Sequence, residues 1–398
     1  MFKPIILASS LALGLAGCSA AGDTPVADDT AALHAPSPAT KLAACPTYVP
    51  SAPVGGAPPG AAGPPLATTV APSDTSSSIV LDVTGDPQMQ CATSGRTLTS
   101  NIVYSTPTLA DGSKLPLQLD ILRPAGKALL PLVIAVPGGG FVTAIKEQAI
   151  DLRSYVADAG FVVASLQYRT IPNGAIYSDG IIDVKAAIRF LRAHAHAYGI
   201  DPAHIAVWGQ SAGAYIAAMV GTTNGLPQFE AGDDLDQSSA VQAVVDEFGT
   251  SDMTRIASDF DAATQAYYQT PDNFVAVYTL GANSGKILAD DPAVAKAADP
   301  ITYVDATDPP FLLEHGSLDV IISPSQTLLL HTALRAAGVD STRYVLKGAS
   351  HGDLSFLGNF TAGIPWTTKR AADTIVDFLR DKLVYCSFGL QPPPRSTR

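Results

Sequence analysis

The sequence predicts an α/β protein: a doubly wound, mostly parallel sheet with helices on both faces and a cap or lid insertion. Three observations lead there. Strand-length apolar runs (Leu132–Val136, Phe161–Gln167, Ile205–Trp208, Phe311–His315) alternate with helix-length stretches, the rhythm of parallel βαβ units. Several of these runs are continuously apolar, as strands buried on both faces must be. Finally, Gly209-x-Ser211-x-Gly213 lies between one such strand and a small-residue helix, Ala212 to Val220. This is the turn that holds a serine exposed at a strand end, with glycines where strand and helix approach too closely for a Cβ.

Composition and the termini bound the rest. With 398 residues and 47% hydrophobic content, the chain has ample material for a core. A net charge of -12 argues against nucleic acid or an anionic membrane surface as a partner. Met1-Phe2-Lys3, an apolar run from Pro4 to Leu13 and Leu15-Ala16-Gly17-Cys18 read as an export signal too short to span a membrane. Its last four residues resemble the bacterial lipoprotein cleavage box. That resemblance implies lipidation at Cys18, with Ser19 after it pointing to an outer membrane and the folded domain in the periplasm or at the cell surface. The alternative is an ordinary cut near Ala20-Ala21-Gly22.

From 19 to 78 the chain is rich in Ala, Pro, Gly and Ser and has almost no aromatic residues, so it is expected to be a disordered tether reaching about 45 Å. The folded domain is expected over 79–390, with a short tail at 391–398. Of Cys45, Cys91 and Cys386, one pair and one leftover thiol are expected; Cys91 pairs with Cys386 or with Cys45, and neither pairing has metal-ligand spacing.

In order, strands are expected at 79–83, 101–105 and 117–122, and then at 132–136, running straight into Pro137-Gly138-Gly139-Gly140-Phe141. A helix over 146–159, a strand at 161–167 and a long amphipathic helix over 179–198, ended by Gly199, lead to the Ser211 strand. Another buried strand lies at 241–248. Between 251 and 305 the rhythm breaks into aromatic and Asp-rich material, either a lid over the strand ends or a surface insertion. The sheet resumes at Phe311. A helix over 323–337, a last strand at 341–346 and a closing helix over 367–382 complete the order, with reactive groups belonging at the carboxyl ends of the strands.

A serine hydroxyl needs a base within hydrogen-bond reach and a carboxylate to hold that base in the right tautomer. Seven histidines compete for the first role. His34 lies in the tether, His194, His196 and His331 on helices, His204 at the wrong end of a strand, and His315 at a strand end followed at once by the turn assigned to the acid. His351 remains, in the loop Gly348-Ala349-Ser350-His351-Gly352-Asp353 after the last strand. Asp319, in the loop after the preceding strand, is the first choice for the acid over Glu314, Asp308 and Asp353. Ser211, Asp319 and His351 then follow in the α/β-hydrolase order. Gly138-Gly139-Gly140 matches a loop that offers backbone N–H groups to an oxyanion, with the Ala212 amide completing the hole.

These motifs, with the run Asp308 to Asp319, resemble bacterial esterases related to hormone-sensitive lipase, in the branch of feruloyl-esterase-like and formamidase-like hydrolases; the resemblance covers about Asn101 to Val384. It implies an α/β-hydrolase fold with Ser211 as nucleophile, His351 as base, Asp319 as its orienter and Gly139, Gly140 and Ala212 as oxyanion donors. Pro137, where the family more often has His, and Ala214, often Gly, are departures. The expected activity is carboxylic ester hydrolysis on a small-molecule or carbohydrate-linked ester, without metal or cofactor. The alternatives are an amidase or peptidase on the same residues, or a non-catalytic ligand-binding lipoprotein.

Overall fold

The computed structural model of the chain describes residues 40–42, 66–91, 95–354, 359 and 361–385. The leader with Cys18, most of the expected tether, Cys45, Cys386 and the 391–398 tail lie outside the described residues.

The elements in order are β1 (Thr40–Leu42), β2 (Ile79–Leu81), β3 (Arg96–Ser105), β4 (Leu117–Pro124), β5 (Leu130–Val136), α1 (Ile150–Asp158), β6 (Val162–Leu166), α2 (Tyr177–Ala193), α3 (Ala195–Tyr198) and β7 (Ile200–Gln210). There follow α4 (Ala212–Thr222), β8 (Ala243–Glu247), α5 (Ala262–Tyr267), α6 (Phe274–Leu280), α7 (Pro292–Ala297), β9 (Phe311–Gly316), α8 (Ser325–Ala336), β10 (Ser341–Leu346) and α9 (Lys369–Arg380). The strands form one ten-stranded sheet in the order β1-β3-β4-β6-β5-β7-β8-β9-β10-β2. The β1-β3, β3-β4 and β4-β6 pairings are antiparallel, and from β6 to β2 every pairing is parallel.

Side chains alternate across this sheet. Leu132, Ile134 and Val207 face a core shared with α2, α4, α8 and residues 251–305. Val133, Ala135 and Trp208 face a second core under α1 and α9. The fold is therefore the expected α/β-hydrolase one, with apolar layers on both faces of the parallel strands.

Three local readings differ. The helix expected from Lys146 starts at Ile150, because Ala149 is left-handed (φ 49°) and Lys146 instead turns inward to a buried ion pair with Asp120 at 2.9 Å. The long helix over 179–198 breaks at His194, whose Nδ1 donates to the Phe190 carbonyl at 2.8 Å and whose ring packs on Phe190, separating α2 from α3. The expected tether ends early: residues 66–78 lie on the domain. Ala67 and Ala71 donate N–H to the carbonyls of Val320 and Asp259, and the buried Arg343 guanidinium takes the Asp74 carbonyl and the Ser73 and Ser78 hydroxyls as acceptors. Composition measures the lack of apolar area but not a buried cation's demand for acceptors.

Segment 251–305 is part of the first core rather than a superficial insertion, contributing buried Phe260, Tyr268, Val275, Tyr278 and Leu288. Cys91 is disulfide-bonded; the other three cysteines lie outside the described residues.

Candidate active site

Ser211 caps the carboxyl end of β7 at φ 54°, ψ -121°, a conformation strained for any side chain and imposed by the direct passage from strand to helix. Its N–H is held by the Glu247 carbonyl at 2.9 Å. A Cβ on Gly209 would overlap the Gly213 carbonyl, and one on Gly213 would overlap the Val136 carbonyl. Both neighbours are backbone, so the two glycines are steric requirements of the turn.

The acid and the histidine arrive on two loops stitched together. Leu318 N–H donates to the Ala349 carbonyl at 2.9 Å and Ser317 N–H to the Leu346 carbonyl at 3.0 Å. Gly348 N–H donates to Ser317 Oγ at 2.8 Å. A Cβ on Gly316 would sit 2.5 Å from the Ala349 and Ser350 carbonyls, so this close approach needs glycine as well. The structure brings Ser211, Asp319 and His351 together: His351 Nε2 is 2.7 Å from Ser211 Oγ, and Nδ1 is 2.8 Å from Asp319 Oδ2.

Asp319 is fully buried. Its Oδ1 accepts the N–H groups of Ile321 at 2.8 Å and Ile322 at 3.0 Å. Burial pushes its carboxyl up, but the adjacent His351 and His315 rings outweigh this and hold it well below the usual carboxylate range. It is thus an anion at neutral pH, able to fix the His351 Nδ1–H tautomer and leave Nε2 facing the serine hydroxyl.

On the other side of the serine runs the glycine loop. A Cβ on Gly138 would lie 3.2 Å from Ser211 Cβ, so the loop passes directly beside the hydroxyl-bearing residue. Gly139, at φ 137°, has no room for a side chain against Thr143, while Gly140, at φ 58°, faces open space. The Gly139 carbonyl is tied back by the N–H groups of Val142 and Thr143. Ala212, the first residue of α4, has an N–H with no helical carbonyl to bond and stands at the positive end of the helix. Pro137 keeps hydrogen-bonding support for the loop: its carbonyl accepts the Tyr168 hydroxyl at 2.9 Å.

Four side chains that the sequence reading passed over complete the site. Phe141 closes the glycine loop at φ 62° and stacks on Tyr278 of α6 at 3.9 Å, with Tyr215 edge-on at 5.5 Å, so segment 251–305 clamps the loop. Phe248, at φ 53°, presents its ring edge to His351 at 4.7 Å and to Trp366 at 4.6 Å. Trp366 donates Nε1–H to the Ser350 carbonyl at 3.1 Å. His315, dismissed as the end of a strand, lies with Nε2 3.1 Å from Asp319 Oδ2. The available signal was position: Phe248 and His315 both stand where a buried strand meets the catalytic face. Among the described residues no cluster of His, Cys, Asp or Glu could hold a metal ion.

The family model described as BD-FAE matches residues 119–334, a stretch that includes Ser211 and Asp319 and stops short of His351. The esterase LipQ of Mycobacterium tuberculosis is 30% identical over 260 residues, covering 65% of this chain and 56% of the relative. The chain spans about half the length of the curated relatives it matches, 53 to 57%. Among solved structures, a truncated carbohydrate esterase from gut microbiota superposes with a TM-score of 0.58 at 26% identity, covering 75% of this chain and 98% of that one. A bifunctional GH43-CE protein of Bacteroides eggerthii gives 0.60 at 27% identity, covering 72% of this chain and 38% of its own.

Proposed function

The chain belongs to the BD-FAE family, and from that premise we propose that it is a serine carboxylesterase working through an acyl-enzyme. The observation that carries the reading is the unbroken hydrogen-bond line from Ser211 Oγ through His351 to the buried Asp319. In this reading His351 Nε2 takes the hydroxyl proton as Ser211 Oγ attacks the ester carbonyl, and Asp319 stabilises the imidazolium that forms. The N–H groups of Gly139, Gly140 and Ala212 receive the developing oxyanion. His351 then returns its proton to the leaving alkoxide, and the same groups activate water to release the acid and free Ser211.

The substrate class we infer is a neutral ester on an alcohol-rich scaffold, such as an acylated sugar or a phenolic ester. Its support is the net charge of -12, unfavourable to polyanionic substrates, and the likeness to solved carbohydrate esterases. We also infer export and lipid anchoring through Cys18, with the domain in the periplasm or at the surface of an outer membrane. The leader sequence supports this, and the disulfide at Cys91 fits an oxidising compartment. No helix among the described residues is long and apolar enough to cross a membrane.

The test is hydrolysis of p-nitrophenyl esters of increasing acyl length, with acetylated xylo-oligosaccharides and methyl ferulate alongside, by the protein lacking residues 1–18. Activity on at least one ester, lowered about 10³-fold or more by Ser211→Ala, is expected. Hydrolysis of anilides in preference to all these esters would favour an amidase. Inertness towards both would sink the enzymatic reading.

A further inference from the structure

His315 is fully buried, and both its ring nitrogens are engaged. Nδ1 lies 3.2 Å from Thr327 Oγ1 of α8. Nε2 lies 3.1 Å from the Ile322 carbonyl and 3.1 Å from Asp319 Oδ2. Donor chemistry fixes the direction of this network. Arg343 Nε can only donate, and it donates to Thr327 Oγ1 at 2.9 Å. Nε2 faces two groups that only accept, the Ile322 carbonyl and the ionised Asp319, so it carries the ring's proton, and in the neutral ring Nδ1 accepts the Thr327 hydroxyl hydrogen. Arg343 is itself held by the Pro324 carbonyl at 2.7 Å and Ser78 Oγ at 2.8 Å, so the outer end of the line is anchored.

Asp319 therefore receives three hydrogen bonds, from the N–H groups of Ile321 and Ile322 and from His351 Nδ1, and its Oδ2 lies 3.1 Å from His315 Nε2, whose one hydrogen also faces the Ile322 carbonyl. The carboxylate cannot rotate without losing one of these contacts. We propose that His315 is a positioning residue for the reaction proposed above, the inner end of a line from Arg343 through Thr327 that locks Asp319 in orientation and shares its Oδ2 with His351. The sharing has a consequence for catalysis. His315 holds the oxygen that fixes the His351 Nδ1–H, so the imidazole keeps Nε2 aimed at Ser211 Oγ. The other charged or titratable groups on this pair are His351, Arg343 through Thr327, and the Tyr268 hydroxyl on the Ile321 carbonyl at 3.1 Å. Glu314, the next residue along β9, points to the opposite face and accepts from Thr374 of α9.

The experiment compares His315→Phe and His315→Gln with the unsubstituted protein in kcat and KM on the best ester. The line predicts a kcat lowered about 10- to 100-fold by Phe with a KM within about twofold. Gln, whose amide N–H can stand where Nε2–H does, restores most of the rate. An unchanged kcat in a folded His315→Phe enzyme overturns the proposal, as does a Gln variant no better than Phe. A readout independent of turnover and of any variant is nitrogen-15 NMR of histidine-labelled protein: His315 is expected to be protonated at Nε2 and unprotonated at Nδ1, and the opposite tautomer overturns the line. Absence of ester hydrolysis by the unsubstituted protein overturns the enzymatic reading and the catalytic role built on it, while the tautomer measurement still decides the bonding.

Discussion

Glu314→Gln should change how the stability of the fold depends on pH. Glu247 and Glu314 are register partners on the neighbouring parallel strands β8 and β9. Both are buried beneath the strand end that carries Ser211. Trp208 Nε1 donates to Glu247 Oε2 at 2.5 Å, the Gln210 side chain also bonds Glu247, and Thr374 donates to Glu314 Oε1, while Glu314 Oε2 has no hydrogen-bond partner among the described residues. Burial pushes both carboxyls up, and the charge of Glu247 pushes Glu314 further. The folded protein therefore keeps a proton on this pair at a pH where the unfolded chain has released it. More protons bound in the native state mean that stability falls as pH rises, from just above the unfolded value until the folded pair titrates. Each retained proton is worth about 1.4 kcal/mol per pH unit, or about 2.7 kcal/mol between pH 5 and pH 7. Gln has no proton to lose and keeps a carbonyl for Thr374. Urea denaturation of both proteins at pH 5, 6 and 7 is the assay. The stability of the variant relative to the parent should rise by about 2.7 kcal/mol across that range; the other buried carboxyls are common to both proteins and cancel. A difference that stays constant with pH would refute the retained proton.

Gly213→Ala places a Cβ against the Val136 carbonyl, backbone that cannot step aside; the expected result is a loss of about 1–3 kcal/mol in denaturant melts and a kcat at least about 10²-fold lower. Tyr278→Ala removes the ring stacked on Phe141, whose positive φ is held by packing. It should cost about 3–5 kcal/mol and lower kcat more than it raises KM, which steady-state kinetics on a folded sample reads directly. Met89 and Leu383 are packed in one cluster beside α1 and α9, a few residues from Cys91 and Cys386. A non-reducing peptide map should accordingly link Cys91 to Cys386, and a link to Cys45 would contradict this.

What the sequence made legible was local. The Ser211 turn could be read because its steric demand falls on Gly209 and Gly213, two residues either side of it, and the strands β5 to β9 because continuous apolar runs have few other uses. His351 and Asp319 could be placed because each follows a strand at its carboxyl end. Most of the misreadings involve partners far apart in the chain; the break of the long helix at His194, whose ring reaches only to Phe190, is the exception. Nothing around Lys146 announces that Asp120 will draw it out of a helix. The Ser-rich stretch 73–78 looks like linker until Arg343 is seen to need its oxygens. His315 is marked locally only by its place at a strand end, because its partners Thr327 and Arg343 lie on the helix and strand that follow. Phe248 and Trp366 meet over the His351 loop from opposite ends of the C-terminal half, a contact no periodicity encodes.

The central claim is that Ser211 Oγ is the nucleophile, activated by His351. It is tested most directly by treating the protein lacking residues 1–18 with a fluorophosphonate probe and locating the adduct by peptide mass spectrometry. The account predicts one adduct per chain, on Ser211, with loss of ester hydrolysis in proportion to labelling and no adduct in His351→Ala on the same timescale. Labelling of another residue that abolishes activity while Ser211 stays unmodified would contradict it.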